Sequence, residues 1–99
     1  MAVTDEKLHQ ELRRRYLDGE SPAQLLRFLH SRDPDWSTSY SIDAMYHAFN
    51  LGSDINHLGG WWPDGSGPLS DSRLNALLRP TIERERAYWE PLLKQRDDK

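Results

Sequence analysis

A chain of 99 residues, 36% hydrophobic and 29% charged with a net charge of −3, fits one small helical or mixed domain of ordinary soluble composition. It has no cysteine, which excludes disulfides, thiolate chemistry and any Cys-based zinc site, and its pI near 5.7 argues against nucleic-acid binding, which needs Lys and Arg to neutralise phosphates. No apolar run approaches the roughly 20 residues of a membrane span, and Met1 to Glu6 lack the basic-then-apolar order of a signal peptide, so a cytoplasmic protein without a membrane partner is expected.

The first helix is predicted over Asp5 to Asp18, with Thr4 as N-cap and Gly19 at the C′ position. Leu8, Leu12 and Tyr16 recur every four residues and form its buried stripe. Arg13, Arg14 and Arg15 near its end suit the negative pole of the helix, and Glu11 is one turn from Arg15. The second helix has the clearest start signal, with Ser21 as N-cap, Pro22 at N1 and Gln24 completing a capping box. Asp33-Pro34-Asp35 ends it. With only Gly19 and Glu20 between them, the two helices are expected to form an αα-hairpin.

The third helix is predicted to begin within Ser37 to Ser41 and to end at Leu51, before Gly52. Ile42, Met45, Tyr46 and Phe49 share one face, and Asp43, His47 and Asn50 the opposite one. Ser53 is placed to cap one further turn, Asp54 to Leu58. A loop follows, Gly59-Gly60-Trp61-Trp62-Pro63-Asp64-Gly65-Ser66-Gly67, in which Trp62 to Gly65 have the order of a type I turn. Ser70 caps the fourth helix, Leu69 can staple to Leu74, and Leu74, Leu77 and Leu78 form its buried side. Pro80 either kinks this helix or opens a fifth; Ile82, Trp89, Leu92 and Leu93 continue the apolar face, and Pro91 bends or breaks the end. No segment alternates like a strand. The expected fold is an all-α bundle of about four or five helices in a single domain, ordered over about residues 4–95, with the Gly/Trp-rich loop between the third and fourth.

The charges are unevenly distributed. Residues 33–72 contain six Asp, three of the four Trp and no Lys or Arg. The parts before, within and after that stretch carry +1, −6 and +2. Acid and aromatic groups without cations suit a surface that meets a basic protein. The candidate partner-binding residues are Trp61, Trp62, Asp64, Asp54, Asp71, His57, Asp43 and Trp36. Adjacent residues of an extended loop point to opposite sides, so one of Trp61 and Trp62 is expected inside, as a lid on the core, and one outside. Individually, most of the aspartates are also good cap and turn residues.

Other chemistry finds little support. Counted as a calcium loop from Asp54, positions five and twelve are Leu58 and Gly65, which cannot serve as ligands. Asp43, His47 and His57 are a conceivable metal set, but Asp/His pairs one turn apart are common on helices. There is no Gly-x-Ser-x-Gly elbow, phosphate loop or His-Glu-x-x-His run. No enzyme activity and no cofactor are expected. A helix-turn-helix using helices two and three would present Asp43, His47 and Asn50 and no cation to DNA.

In size, charge, lack of Cys and its acidic-aromatic segment, the chain resembles small acidic helical inhibitors such as bacterial immunity proteins and antitoxins. That resemblance implies occlusion of a basic toxin or nuclease-like enzyme. The alternatives are a small-ligand module with a Trp61/Trp62 platform, or an adaptor or oligomerisation domain using an exposed apolar side around Trp89 and Leu93.

Overall fold

A computed structural model describes residues 6–32, 38–52 and 60–93. Among the described residues every regular element is helical: α1 Glu6–Leu17, α2 Pro22–Arg32, α3 Thr38–Phe49, α4 Asp71–Arg84 and α5 Arg86–Trp89, followed by a 3-10 turn Glu90–Leu92. The protein is thus an all-α bundle. None of these helices is long and apolar enough to cross a membrane. Helix α1 packs on α3, α2 packs on α4, and α5 closes against α3 and α4.

Local signals in the sequence account for most of the element ends. Helix α1 closes in a Schellman motif: Gly19 N donates to Tyr16 O at 3.0 Å and Glu20 N to Arg15 O at 3.0 Å. Gly19 has φ +107°, which a Cβ would disfavour. The capping box of α2 forms as expected, with Ser21 N donating to Gln24 Oε1 at 2.7 Å and Gln24 N to Ser21 Oγ at 3.3 Å. A further orphan donor of that turn, Ala23 N, is taken up by Asn75 Oδ1 of α4 at 2.9 Å. Ser70 caps α4 by accepting from Arg73 N at 3.2 Å. The expected caps at Thr4 and Ser53, the turn over 54–58 and the stop at 33–35 lie outside the described residues.

Three expectations are corrected. Helix α3 ends at Phe49 rather than Leu51. Asn50, directly after the helix, takes a left-handed conformation with φ 58°. Asn tolerates that region, and its side chain is held there by Glu85 Oε1 at 3.0 Å. The buried face of α3 runs through Ala44, Met45, Ala48 and Phe49, so Tyr46 is exposed. On α4, Leu77 is likewise exposed while Leu74 and Leu78 are buried. Pro80 does not open a fifth helix; α4 continues through it to Arg84. Pro80 and Ala76 both face solvent, so the carbonyl that loses its amide partner there can be hydrated. Pro91 lies in the 3-10 turn that follows α5, the last α-helix among the described residues.

The core joins the five α-helices. Tyr16, Phe49 and Trp89 meet edge-to-face, with centroids 5.0 to 5.8 Å apart. Trp89 Nε1 donates to Ile82 O at 2.9 Å, tying α5 back onto α4. Arg13 is buried beside this cluster, 2% exposed. Its Nε donates to Ala48 O at 2.7 Å and its Nη2 to His47 O at 3.0 Å. It therefore caps the C-terminal carbonyls of α3 from a neighbouring helix. Glu6 accepts from Arg13 Nη1 at 3.4 Å, which balances the buried charge.

Candidate functional site

The loop between α3 and α4 is held against the bundle from inside. Trp61 is 2% exposed and joins the core, whereas Trp62 is 50% exposed. The expected one-in, one-out arrangement is therefore found, with Trp61 as the lid. Trp61 Nε1 donates to Asp71 Oδ1 at 2.8 Å, the first residue of α4. Gly65 N donates to Trp62 O at 3.0 Å and closes the expected turn. Leu69 N donates to Gly60 O at 2.9 Å and pins the two ends of the loop together. A Cβ on Gly67 would lie 2.7 Å from Gly60 O and 3.0 Å from Trp62 N, so only glycine lets these strands of the loop approach.

Beside Trp62 lies an open cleft of about 700 Å³ lined by Arg27, His30, Trp62, Pro63 and Asp64. Helix α2 supplies Arg27 and His30, three residues apart and so on one side of the helix. Arg27 Nη1 donates to Asp71 Oδ2 at 2.7 Å and Nη2 to Asp71 Oδ1 at 3.1 Å, a two-pronged pair. Arg27 Nε donates to Pro63 O at 3.0 Å, and its guanidinium carbon is 5.1 Å from the Trp61 ring centroid. One arginine thus binds helix, loop and core tryptophan. The Arg27 guanidinium, and after it the Trp61 indole, hold the Asp71 carboxyl below the usual carboxylate range.

Asp64 sits at the tip of the turn, exposed. Its Oδ1 accepts from Ser66 Oγ at 2.7 Å and Ser66 N at 2.9 Å, and those bonds lower its pKa. An ionised carboxylate and a half-open indole therefore project two residues apart from a fixed turn. Such a pair can receive a cationic side chain, ring face on one side and carboxylate on the other.

Residues 33–72 carry no Lys or Arg of their own, but the fold brings one to them. The fold inserts Arg27, forty-four residues from Asp71 in sequence, into the middle of that segment. Asp71 is thereby engaged by Arg27 and Trp61 within the protein, with its side chain still 45% exposed. Asp43 is placed elsewhere: it faces His47 Nε2 at 3.3 Å on α3, and the His47 ring lies 5.2 Å from that of His9 on α1. Burial, and then the neighbouring His47, push the His9 pKa down. Among the described residues no group of three His, Asp or Glu is placed to hold a metal ion. Asp54, His57 and Trp36 lie outside the described residues. The apolar side expected around Trp89 and Leu93 is also corrected, because Trp89 is fully buried and Leu93 half-buried; Tyr88 and Leu92 are the exposed groups there.

Arg27 and His30 were missed by sequence reasoning. Their spacing on α2 is visible, but no local signal connects them to a loop thirty residues on. No protein-family model, curated protein or solved structure matches the chain, so the functional reading rests on this geometry.

Proposed function

We propose that this chain is a non-enzymatic protein-binding module that docks on a basic partner through Trp62 and Asp64, acting as an inhibitor of the immunity-protein or antitoxin type. The observation that carries the reading is Trp62, a large aromatic left 50% exposed on a loop anchored at both ends. A tryptophan already fixed in place meets a partner with little ordering cost, and tryptophan is the commonest interface anchor. Asp64 adds an ionised carboxylate beside it. The one cation in the cleft wall from α2, Arg27, is already paired with Asp71, which reduces its repulsion of a basic surface.

The mechanism is occlusion. Asp64 pairs with a Lys or Arg that would otherwise hold the partner's substrate, while Trp62 fills a neighbouring pocket. Neither a nucleic acid nor a membrane is the partner in this reading, and a cytoplasmic, bacterial setting with a toxin or nuclease-like target goes with it. Capture of the tagged protein from its native cells, in low and then high salt, tests it. A single basic protein retained in near-equal amount and loosened by salt is expected. Trp62→Ala and Asp64→Lys should both weaken that complex, and only the charge reversal should greatly change the salt dependence of association. Unchanged binding in both variants would sink this surface.

A second reading is favoured by the cleft itself. Its volume of about 700 Å³ falls within the range of small-molecule sites, and the Trp62 face could serve as a stacking wall for a sugar or nucleobase. Tryptophan fluorescence that responds to a small molecule and ignores salt would replace the inhibitor reading with this one.

A further inference from the structure

A second cleft, of about 410 Å³, runs along the groove between α1 and α2. Its lining is Lys7, Leu8, Glu11, Arg15, Phe28 and Arg32. The hairpin is antiparallel, so Lys7 in the first turn of α1 and Arg32 at the end of α2 lie at its open end. Deeper in, Arg15 Nε donates to Glu11 Oε2 at 2.8 Å and Nη1 to Glu20 Oε2 at 3.0 Å. The Arg15 guanidinium carbon lies 3.9 Å from the Phe28 ring centroid, and that of Arg32 lies 5.7 Å from it. Glu11, the acid in the lining, is therefore already engaged by Arg15. Lys7 and Arg32 are different: among the described residues no carboxylate forms an ion pair with either.

We propose that this groove binds a phosphate dianion between Lys7 and Arg32. Two cations that form no ion pair among the described residues match the double negative charge of a phosphate, which a monoester carries above a second pKa of about 6. Arg32 can present a planar fork of donors and Lys7 a mobile point charge, the two usual ways of holding phosphate. The positive pole of α1 lies at the same end. The Arg32 guanidinium lies within cation–π range of the Phe28 ring, which favours its placement at the groove. The site is separate from the Trp62 cleft and does not depend on its reading.

The test is a nitrogen-15 NMR titration of the whole chain with inorganic phosphate at about pH 8.5, where both free phosphate and a phosphate monoester are dianions. Sodium chloride at equal ionic strength is the control. Saturable shifts are expected at the Arg15 and Arg32 side-chain Nε–H signals and the Lys7 amide, while those of Arg73 and Arg79 stay fixed. Lys7→Gln and Arg32→Gln should each weaken binding about tenfold; both residues are exposed, so the fold is retained. Glycerol 2-phosphate run alongside distinguishes the source: tighter binding assigns the site to a phosphate monoester, equal binding to free phosphate. Identical shifts with chloride, or undiminished binding in the Lys7→Gln, Arg32→Gln double variant, would overturn the proposal.

Discussion

Helix α2 borders two clefts, and consecutive residues of that helix serve them in opposite ways. Arg27 serves the Trp62 cleft: its charge is consumed by Asp71 and the aromatic wall is left open. Phe28 serves the α1/α2 groove: its ring is covered by Arg15 and two cations are left open. Each region contains arginine, aromatic and carboxylate groups. What differs is which group finds an internal partner, and that decides what remains for a ligand. Residue content alone therefore does not define a binding surface; the pairing does.

Trp61→Ala would break the first side of this comparison outright. The loop would lose its buried lid, with an expected cost of about 3–5 kcal/mol, read as a lower urea midpoint. A loss below about 1 kcal/mol would mean that the loop is an appendage and not part of the core. Asp71→Asn is gentler, because the carboxylate is 45% exposed and water can replace part of what it loses. It should cost about 1–2 kcal/mol, release Arg27 and make Trp62 more open to acrylamide quenching, while phosphate titration of the α1/α2 groove stays unchanged.

Acid loosens the Asp71 anchor without mutation. The Asp71 pKa is lowered by Arg27 first and Trp61 second. The stability it contributes is therefore present above the ordinary carboxylate pKa, near about 4, and is lost as pH falls through the depressed value. In Asp71→Asn the acid limb of the stability profile should be shallower.

Phe28→Leu keeps an apolar side chain but removes two arginine–ring contacts, for an expected loss of about 0.5–1 kcal/mol. Its sharper readout is the phosphate affinity, which should fall as Arg32 gains freedom. Trp62→Ala should change stability least, by less than about 0.5 kcal/mol, because half of the side chain already faces water. A larger loss would mark Trp62 as structural and weaken its standing as a partner anchor.

The sequence was most informative where the deciding interaction is local. The Ser21/Gln24 box, the Ser70 cap, the Gly19 stop and the turn at Trp62 to Gly65 each involve residues within five positions of one another. It misled where two local candidates competed: Asn50 and Gly52 both suit a helix end, and Glu85, distant in sequence, holds Asn50 there. It was blind to contacts set by packing. Nothing near Arg27 indicates Asp71, and nothing in Arg13-Arg14-Arg15 says that the first of the three is buried. Trp62 and Asp64 were legible as site candidates because a Pro/Gly turn displays its own residues. Arg27, His30 and the Lys7/Arg32 groove become visible only once the helices are paired.

Arg13 also sets how the molecule comes apart. Its guanidinium grips the last carbonyls of α3 from the middle of α1, so opening either segment breaks bonds that hold the other. The amides of α1 and of the final turn of α3 should therefore exchange with solvent deuterium as one cooperative unit, at matching rates. A helix end, ordinarily the first place to fray, is then expected to be one of the last.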